Sequence, residues 1–349
     1  MNILITGNMG YIGPVVESQL RASYPKARLV GVDIGYFAHC LTGSRFLPEC
    51  RIHTQHFTDM RNLSPDLLRG VDAVVHLAAI SNDPMGNTFE DVTLDINYKA
   101  TLALARQAKA AGARSFIFAS SCSVYGFAEG GARKEDSQLN PLTAYAKSKV
   151  NSENVLKMLA DDKFNVTCLR FATACGMSER LRLDLVLNDF VASAIATNKI
   201  TILSDGTPWR PLINIKDMAR AIDWAIQRDK KAGGVFLSVN AGSNRWNYQV
   251  RDLADAVADV IPGVEVAINK DALPDKRSYQ VSFDLFEKLA PGYQPQMDLL
   301  TTITELKEGL TAMGFDNGNF RDSTFMRLKV LTRLKEQGLL SNNLEWTFS

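Results

Sequence analysis

Residues 3–13 read Ile3-Leu4-Ile5-Thr6-Gly7-Asn8-Met9-Gly10-Tyr11-Ile12-Gly13, a short apolar run followed by glycines that open a helical pattern. Glycine is needed where a chain turns tightly, where its backbone must approach a bulky anion, and where a helix packs closely on a strand. A helix that begins there offers free N–H groups and the positive end of its dipole to a pyrophosphate. The triplet of glycines says little alone, but a strand before it and a helix after it are the context a dinucleotide site requires. Asp33 closes the second apolar run, Leu29 to Val32, about twenty residues further on. A carboxylate there can hold ribose hydroxyls and repels a 2′-phosphate, which favours NAD over NADP.

Working outward, apolar runs recur at Ala73 to Leu77, Phe116 to Ala119 and Val166 to Leu169, with helical stretches at Asp91 to Ala111 and Thr143 to Leu159 between them. This alternation predicts an α/β fold, a Rossmann doubly wound parallel sheet covered by helices on both faces. Beyond residue 172 the rhythm loosens: a helix over Leu183 to Thr197, a strand near Lys199 to Leu203, a helix over Asp217 to Arg228 and a strand over Phe236 to Asn240. We therefore expect an NAD-binding Rossmann domain over 1–172, to which segments around 205–240 return. Residues 173–349 are expected to form a smaller interwoven α/β substrate lobe and a basic helical tail, Asn319 to Gly338.

Composition narrows the class. The 349 residues are 46% hydrophobic and 22% charged with a net charge of +1, so there is neither a nucleic-acid footprint nor a polybasic membrane patch. No run is long and apolar enough to span a bilayer, and Met1 to Gly7 reads as a strand, not a signal peptide. The cysteines are odd in number and lack CxxC pairing, which points to a reducing cytoplasm. His53 and His56 are expected to point to opposite faces of a strand, with no carboxylate or thiolate cluster around them, so no metal is expected.

Tyr145-Ala146-Lys147-Ser148-Lys149 places Tyr145 and Lys149 four apart, on one face of a helix. A phenol of ordinary pKa, about 10, is a poor base at neutral pH, and a neighbouring ammonium would stabilise its phenolate. Pairs of this spacing are also common on helix surfaces. In their order, however, the glycine-rich turn, Asp59-Met60, His76-Leu77-Ala78-Ala79, Ser120-Ser121-Cys122-Ser123-Val124-Tyr125-Gly126, YAKSK, and Arg210-Pro211-Leu212-Ile213 with Asp217 form a recognisable set. Over roughly residues 1 to 290 the chain resembles the extended short-chain dehydrogenase/reductases, the NAD-dependent epimerase/dehydratase group.

The resemblance implies roles. Tyr145 is the acid/base, Lys149 binds the nicotinamide ribose and lowers the tyrosine pKa, and Ser121 holds the reacting sugar hydroxyl. Gly7, Met9, Gly10, Tyr11, Ile12, Gly13 and Asp33 belong to the NAD site. So do Asp59 and Met60 at the adenine, Leu77, Ala78 and Ala79 along the pyrophosphate and ribose, and Asn97 on a neighbouring helix. Thr173 stands where the family often has Asn, and Asn188 is a candidate for a phosphate contact. Arg210 and Arg277 match positions that clamp the diphosphate of a nucleotide-diphosphate sugar, although each could instead be a surface ion-pair partner. Helices near 91–111 and 143–159 imply a homodimer.

Dehydratases of the group carry Asp-Glu after the catalytic Ser/Thr, where this chain has Cys122 and Ser123. Without those carboxylates the expectation is 4-epimerisation through a transient 4-keto sugar. A 4-ketoreductase or dehydrogenase is the alternative among enzymes, and a non-catalytic nucleotide sensor the alternative outside them. Cys122 invites comparison with cysteine-dependent 3,5-epimerases, but theirs stands one position later, and a small buried residue is the better reading.

Overall fold

The computed structural model describes residues 1–127, 130–269 and 278–348. Each apolar run of the first half becomes a strand: β1 (Asn2–Thr6), β2 (Arg28–Asp33), β3 (Thr54–Phe57), β4 (Ala73–His76), β5 (Ser115–Ser121) and β6 (Asn165–Phe171). The second half adds β7 (Thr173–Cys175), β8 (Lys199–Ile202), β9 (Trp209–Asn214), β10 (Phe236–Ala241), β11 (Asn247–Gln249) and β12 (Glu265–Ile268). The central sheet is seven-stranded in the order β10-β6-β5-β4-β1-β2-β3, with every neighbouring pair parallel. This is the doubly wound Rossmann arrangement, and the order reverses its growth between β1 and β4. Ligands of such sheets bind outside the carboxyl ends of the strands at that reversal.

The helices, in chain order, are α1 (Gly13–Ser23), α2 (Asp83–Thr88), α3 (Glu90–Leu94), α4 (Ala100–Ala110), α5 (Ala144–Leu159) and α6 (Val186–Thr197). They continue with α7 (Ile215–Gln227), α8 (Val250–Val260), α9 (Asp284–Leu289), α10 (Leu299–Ala312) and α11 (Arg327–Glu336). Val16 and Leu20 of α1 and Ile222 of α7 pack with Ile3, Ile5 and Val75 on one face of the sheet. On the other face Leu104 and Ala108 of α4 and Leu156 of α5 pack with Leu4, Val74 and Phe116. Strands covered twice in this way must be apolar throughout, which is why their sequences do not alternate.

The helix expected over 91–111 is interrupted. A π-helical turn over Asp95–Lys99 separates α3 from α4. Within it the Asn97 carbonyl accepts from the hydroxyls of Ser152 (2.9 Å) and Thr101 (2.7 Å), which ties the turn to α5. The helix expected from Leu183 begins only at Val186, because Leu185 is extended and the Leu183 N–H donates to the Phe325 carbonyl at 3.1 Å. In the second half β11, β9 and β7 form one small sheet and β12 and β8 another, while β10 returns to the central sheet beside β6. Asp217, at the start of α7, accepts the backbone N–H groups of Gln296 and Met297 and so fastens the chain leading into α10.

Beneath the glycine-rich turn lies a buried carboxylate. Glu17 is fully buried; Oε1 accepts from the Asn8 amide at 2.8 Å while Oε2 has no partner. Loss of water raises its pKa from 4.5 to about 8. Because the folded pKa is raised, the stability it permits is complete below the unfolded value and is lost as pH rises through about 8. Glu17→Gln is therefore expected to melt higher than the parent at pH 9 and to show a smaller drop in melting temperature between pH 6 and pH 9. Parallel pH slopes for the two proteins by calorimetry would contradict this.

Candidate active site

At the carboxyl ends of β1, β2, β4 and β5 opens a continuous cavity of about 1190 Å³. Its floor is the glycine-rich turn. Gly7 has φ +71°, and a Cβ on it would stand 2.5 Å from the Ala78 nitrogen, so only glycine lets the ends of β1 and β4 approach. A Cβ on Gly13 would lie 1.8 Å from the Asn8 carbonyl oxygen, which is how closely α1 returns over the turn. No side chain caps the N-terminus of α1, leaving it to a ligand.

Asp33 lines the cavity at the end of β2. One carboxylate oxygen accepts the Met9 N–H at 3.0 Å and the other the Gly35 N–H at 2.7 Å. Burial pushes its pKa upward, opposed by those N–H groups. Each oxygen has a further lone pair, so the bracket is compatible with holding ribose hydroxyls. Asp59 and Met60 line the same end, but the Asp59 carboxylate is held by Arg61, whose Nε donates at 3.0 and 2.9 Å, and Arg61 also donates to the Asn343 carbonyl at 2.8 Å. Gly10, Tyr11, Ile12, Leu77, Ala78 and Ala79 complete the wall.

Ser121, Tyr145 and Lys149, the three expected catalytic residues, meet at the middle. Thr143 caps α5 by accepting the Ala146 N–H at 3.1 Å and donates to Asp83 at 2.6 Å, which sets Tyr145 in the first turn. Ser121 ends β5, accepts the Ser123 N–H at 3.1 Å and hydrogen-bonds Tyr145. Lys149 donates to the Ala119 carbonyl at 2.6 Å, with its ammonium 5.5 Å from the centre of the Tyr145 ring. Lys149 is not among the leading groups acting on the Tyr145 pKa in this geometry. Burial drives Tyr145 up to about 12; Ser121 is the leading group pulling it back, and the Lys149 ammonium is directed at a carbonyl and the Phe118 ring. Lys149 itself is drawn down to about 8 by burial, with Glu153 opposing.

Several expected site residues stand behind the wall instead of in it. Met9 and Gly13 shape the turn, Met9 through its N–H to Asp33. Asn97 accepts the Ile80 N–H at 2.8 Å and donates to the Ile80 carbonyl and to Ser148, joining the loop after β4 to the catalytic helix. Asn188 does not reach the cavity. It is fully buried, accepts the Gly176 N–H at 3.0 Å and donates to the Tyr11 hydroxyl and the Arg182 carbonyl, so its amide is spent on the fold and not on a phosphate. Thr173 and Arg210 line the far end of the cavity, and Arg277 lies outside the described residues. Cys122 is 1% exposed with its thiol directed at the Arg170 carbonyl, whereas Ser123 lines the cavity with a buried, unpartnered hydroxyl.

Sequence reasoning passed over Arg182, which pairs with Asp184 at 2.8 Å and donates to Ser81 at 2.9 Å in the cavity wall. The only signal was the alternation of arginine and leucine in Arg180-Leu181-Arg182-Leu183-Asp184, odd for a solvated segment. Tyr279 and Arg327 line the cavity without any such cue. Among the described residues no group of His, Cys, Asp and Glu is arranged to hold a metal ion, and no helix is long and apolar enough to cross a membrane.

The family model described as NAD dependent epimerase/dehydratase family matches residues 3–242. A Bacillus subtilis protein described as an uncharacterized UDP-glucose epimerase is 30% identical over 233 residues, 64% of this chain and 71% of that one. The UDP-glucose 4-epimerase of Neisseria meningitidis is 26% identical over 337 residues, 85% of this chain and 94% of its own. Among solved structures, MoeE5 in complex with UDP-glucuronic acid and NAD is 25% identical, with a TM-score of 0.76 over 89% of this chain and 99% of that one. A Stenotrophomonas maltophila UDP-glucose 4-epimerase with bound NAD shares the fold at 22% identity and a TM-score of 0.77, over 90% and 99% of the two chains. The glycine turn, the uncapped α1 and Asp33 fit NAD, on which the family depends.

Lys149 gives the site a measurable cost. Its folded pKa, about 8, lies below the ordinary 10.5, so the associated stability is present above 10.5 and lost as pH falls through 8. In nucleotide-free protein, Lys149→Met is expected to gain melting temperature relative to the parent at pH 7, with the gain shrinking toward pH 10. A difference independent of pH would refute the buried ammonium.

Proposed function

The chain belongs to the NAD-dependent epimerase/dehydratase family, and from that premise we propose that it is a nucleotide-sugar 4-epimerase. The observation that carries the reading is the meeting of Ser121, Tyr145 and Lys149 in a long cavity whose carboxylates are engaged elsewhere. Asp184 is paired with Arg182, Asp59 with Arg61 and Asp189 with Arg321, Asp83 accepts from Thr143, and Asp33 brackets backbone N–H groups. The places after Ser121 hold Cys122 and Ser123, so neither supplies a carboxylate to remove water. The UDP-glucose 4-epimerases among the relatives support a UDP-sugar as substrate.

When bound, NAD supplies the hydride acceptor and donor, and its oxidised ring adds positive charge to the cavity. Ser121 orients the C4 hydroxyl of the sugar, and Tyr145 takes its proton and later returns one to the keto oxygen. Lys149 holds the nicotinamide ribose, Thr173 contacts the sugar, and Arg210 and Arg277 hold the diphosphate. Burial of the phenol lets a modest change in local charge move its pKa far, because low-dielectric surroundings amplify each ion.

The test is a mass-spectrometric and chromatographic screen of nucleotide sugars with purified protein. Epimerisation gives a C4 isomer of unchanged mass with no net NADH. Net NADH consumption means a reductase, and loss of one water means a dehydratase. Tyr145→Phe should slow turnover by about 10²- to 10⁴-fold while substrate binding survives. We also propose a homodimer built on α4 and α5, where Met158 of α5 is 77% exposed. Light scattering is expected to give twice the chain mass; a monomer at micromolar concentration would count against it.

A further inference from the structure

We propose that Arg327 binds the diphosphate of NAD, which makes the C-terminal helix α11 part of the cofactor site. The inference rests on NAD as the cofactor, and α11 lies beyond residues 3–242, the span of the family model. Arg327 is the first residue of α11, is 1% exposed, and lines the cavity together with Met326. Nη1 donates to the Thr324 carbonyl at 3.0 Å and Nη2 to the Arg180 carbonyl at 2.8 Å, while the guanidinium carbon lies 4.8 Å from the centre of the Phe37 ring. The Cys40 thiol is a further hydrogen-bond partner, and of the five N–H donors of a guanidinium the others are left for a phosphate.

All of these partners are neutral. The neighbouring arginines are neutralised, Arg180 by Glu49 at 2.6 Å and Arg182 by Asp184 at 2.8 Å, but Arg327 has no carboxylate within ion-pair distance among the described residues. Burial lowers its pKa only to about 10, so the group is charged at neutral pH. A cation held out of water without a counter-ion is costly, and an arriving anion recovers that cost. The N-terminus of α11 also lacks a side-chain cap, so its dipole adds positive character to the same wall.

Its surroundings select the cofactor over the substrate. Phe37 and Cys40, which touch or electrostatically feel the guanidinium, belong to the loop that follows Asp33. The chain after α11 is fastened to the same end: Trp346 donates to the Ile34 carbonyl at 2.8 Å, Arg61 to the Asn343 carbonyl at 2.8 Å, and Leu331 and Leu344 are buried with Tyr36. Thr173 and Arg210, at the substrate end, are not among its partners.

The experiment compares the full-length parent with Arg327→Met and Arg327→Lys by calorimetric titration of nucleotide-free protein with NAD, ADP-ribose and UDP-glucose. It also compares melting temperatures with and without NAD. In Arg327→Met the Kd for NAD and for ADP-ribose should rise about 10- to 100-fold, with a smaller rise in Arg327→Lys, which keeps charge but loses the fork. Binding of UDP-glucose should be unchanged, and the nucleotide-free melting temperature should hold or increase, since an uncompensated charge is removed. Equal NAD and ADP-ribose affinities in the parent and Arg327→Met overturn the proposal. A lower nucleotide-free melting temperature with an intact NAD-induced shift also overturns it, leaving a structural arginine. Weakened UDP-glucose with unaltered NAD assigns the guanidinium to the substrate's diphosphate instead. A parent that binds neither NAD nor ADP-ribose defeats the cofactor reading itself, an outcome distinct from loss confined to the variants.

Discussion

The Asp33 carboxylate, accepting the Met9 N–H with one oxygen and the Gly35 N–H with the other, is the constraint on which the crevice depends. It binds the turn after β1 to the start of the loop after β2, segments that the parallel sheet places side by side but does not itself connect there. With Gly7 pressed against Ala78, the ends of β1, β2 and β4 become one rigid edge. Everything that lines the cofactor end is then either backbone of that edge or a residue docked on it, such as Trp346 on Ile34. A carboxylate carrying backbone donors is a strong, charge-assisted bracket. Its burial would be too costly without them.

Charge burial recurs around this frame, with a consistent division of labour. Glu153 on α5 and Arg170 on β6 pair at 2.7 Å, and Ser120 on β5, next to Ser121, donates to the same carboxylate at 2.5 Å. Such a pair adds little net stability, because desolvation consumes most of the Coulombic gain, but it permits few alternative geometries. It therefore serves to fix α5 relative to β6 and, through Ser120, to β5, which carries Ser121. Glu17, Lys149 and Arg327 differ in kind, being buried without full compensation. Lys149 and Arg327 line the cavity, where a ligand can alter their balance.

How far all this was legible in the sequence depends on how local each signal is. The glycine turn, Asp33 and the Tyr145–Lys149 spacing are encoded within short windows by backbone geometry, and the strands that follow announce themselves as uninterrupted apolar runs. Asn97 and Asn188 were identifiable as notable polar positions, yet their tasks depend on partners that no spacing reveals: Ile80 for the one, Tyr11 and Gly176 for the other. Arg182 meets Ser81 across 101 positions and Arg327 meets Arg180 across 147, so neither could be placed before the chain was folded. The direction of the Lys149 ammonium is hidden from the sequence for a related reason. Helical spacing brings the side chains to one face, but the Ala119 carbonyl, on a strand, decides where the ammonium points.

The two ends of the cavity follow different physical logics, and this bears on how one fold can serve many sugars. At the cofactor end the contacts are set by backbone, by glycines that tolerate no Cβ, and by a C-terminal segment that fastens onto them. Substitution there would disturb the sheet edge itself. At the other end the wall is made of side chains from separate segments: Thr173 on β7, Leu185 and Val186 at the start of α6, Arg210 on β9 and Tyr279. These strands belong to the small sheet β11-β9-β7, whose pairing does not involve the central strands. Side chains there can change size or charge without moving Ser121 or Tyr145, because those are fixed by β5 and the cap of α5. Ser123 is the exception, since its unpartnered hydroxyl sits two residues from Ser121 and is anchored by the same turn. The segment 121–123 is thus fixed by the central sheet, while the wall across the cavity is carried by the small sheet.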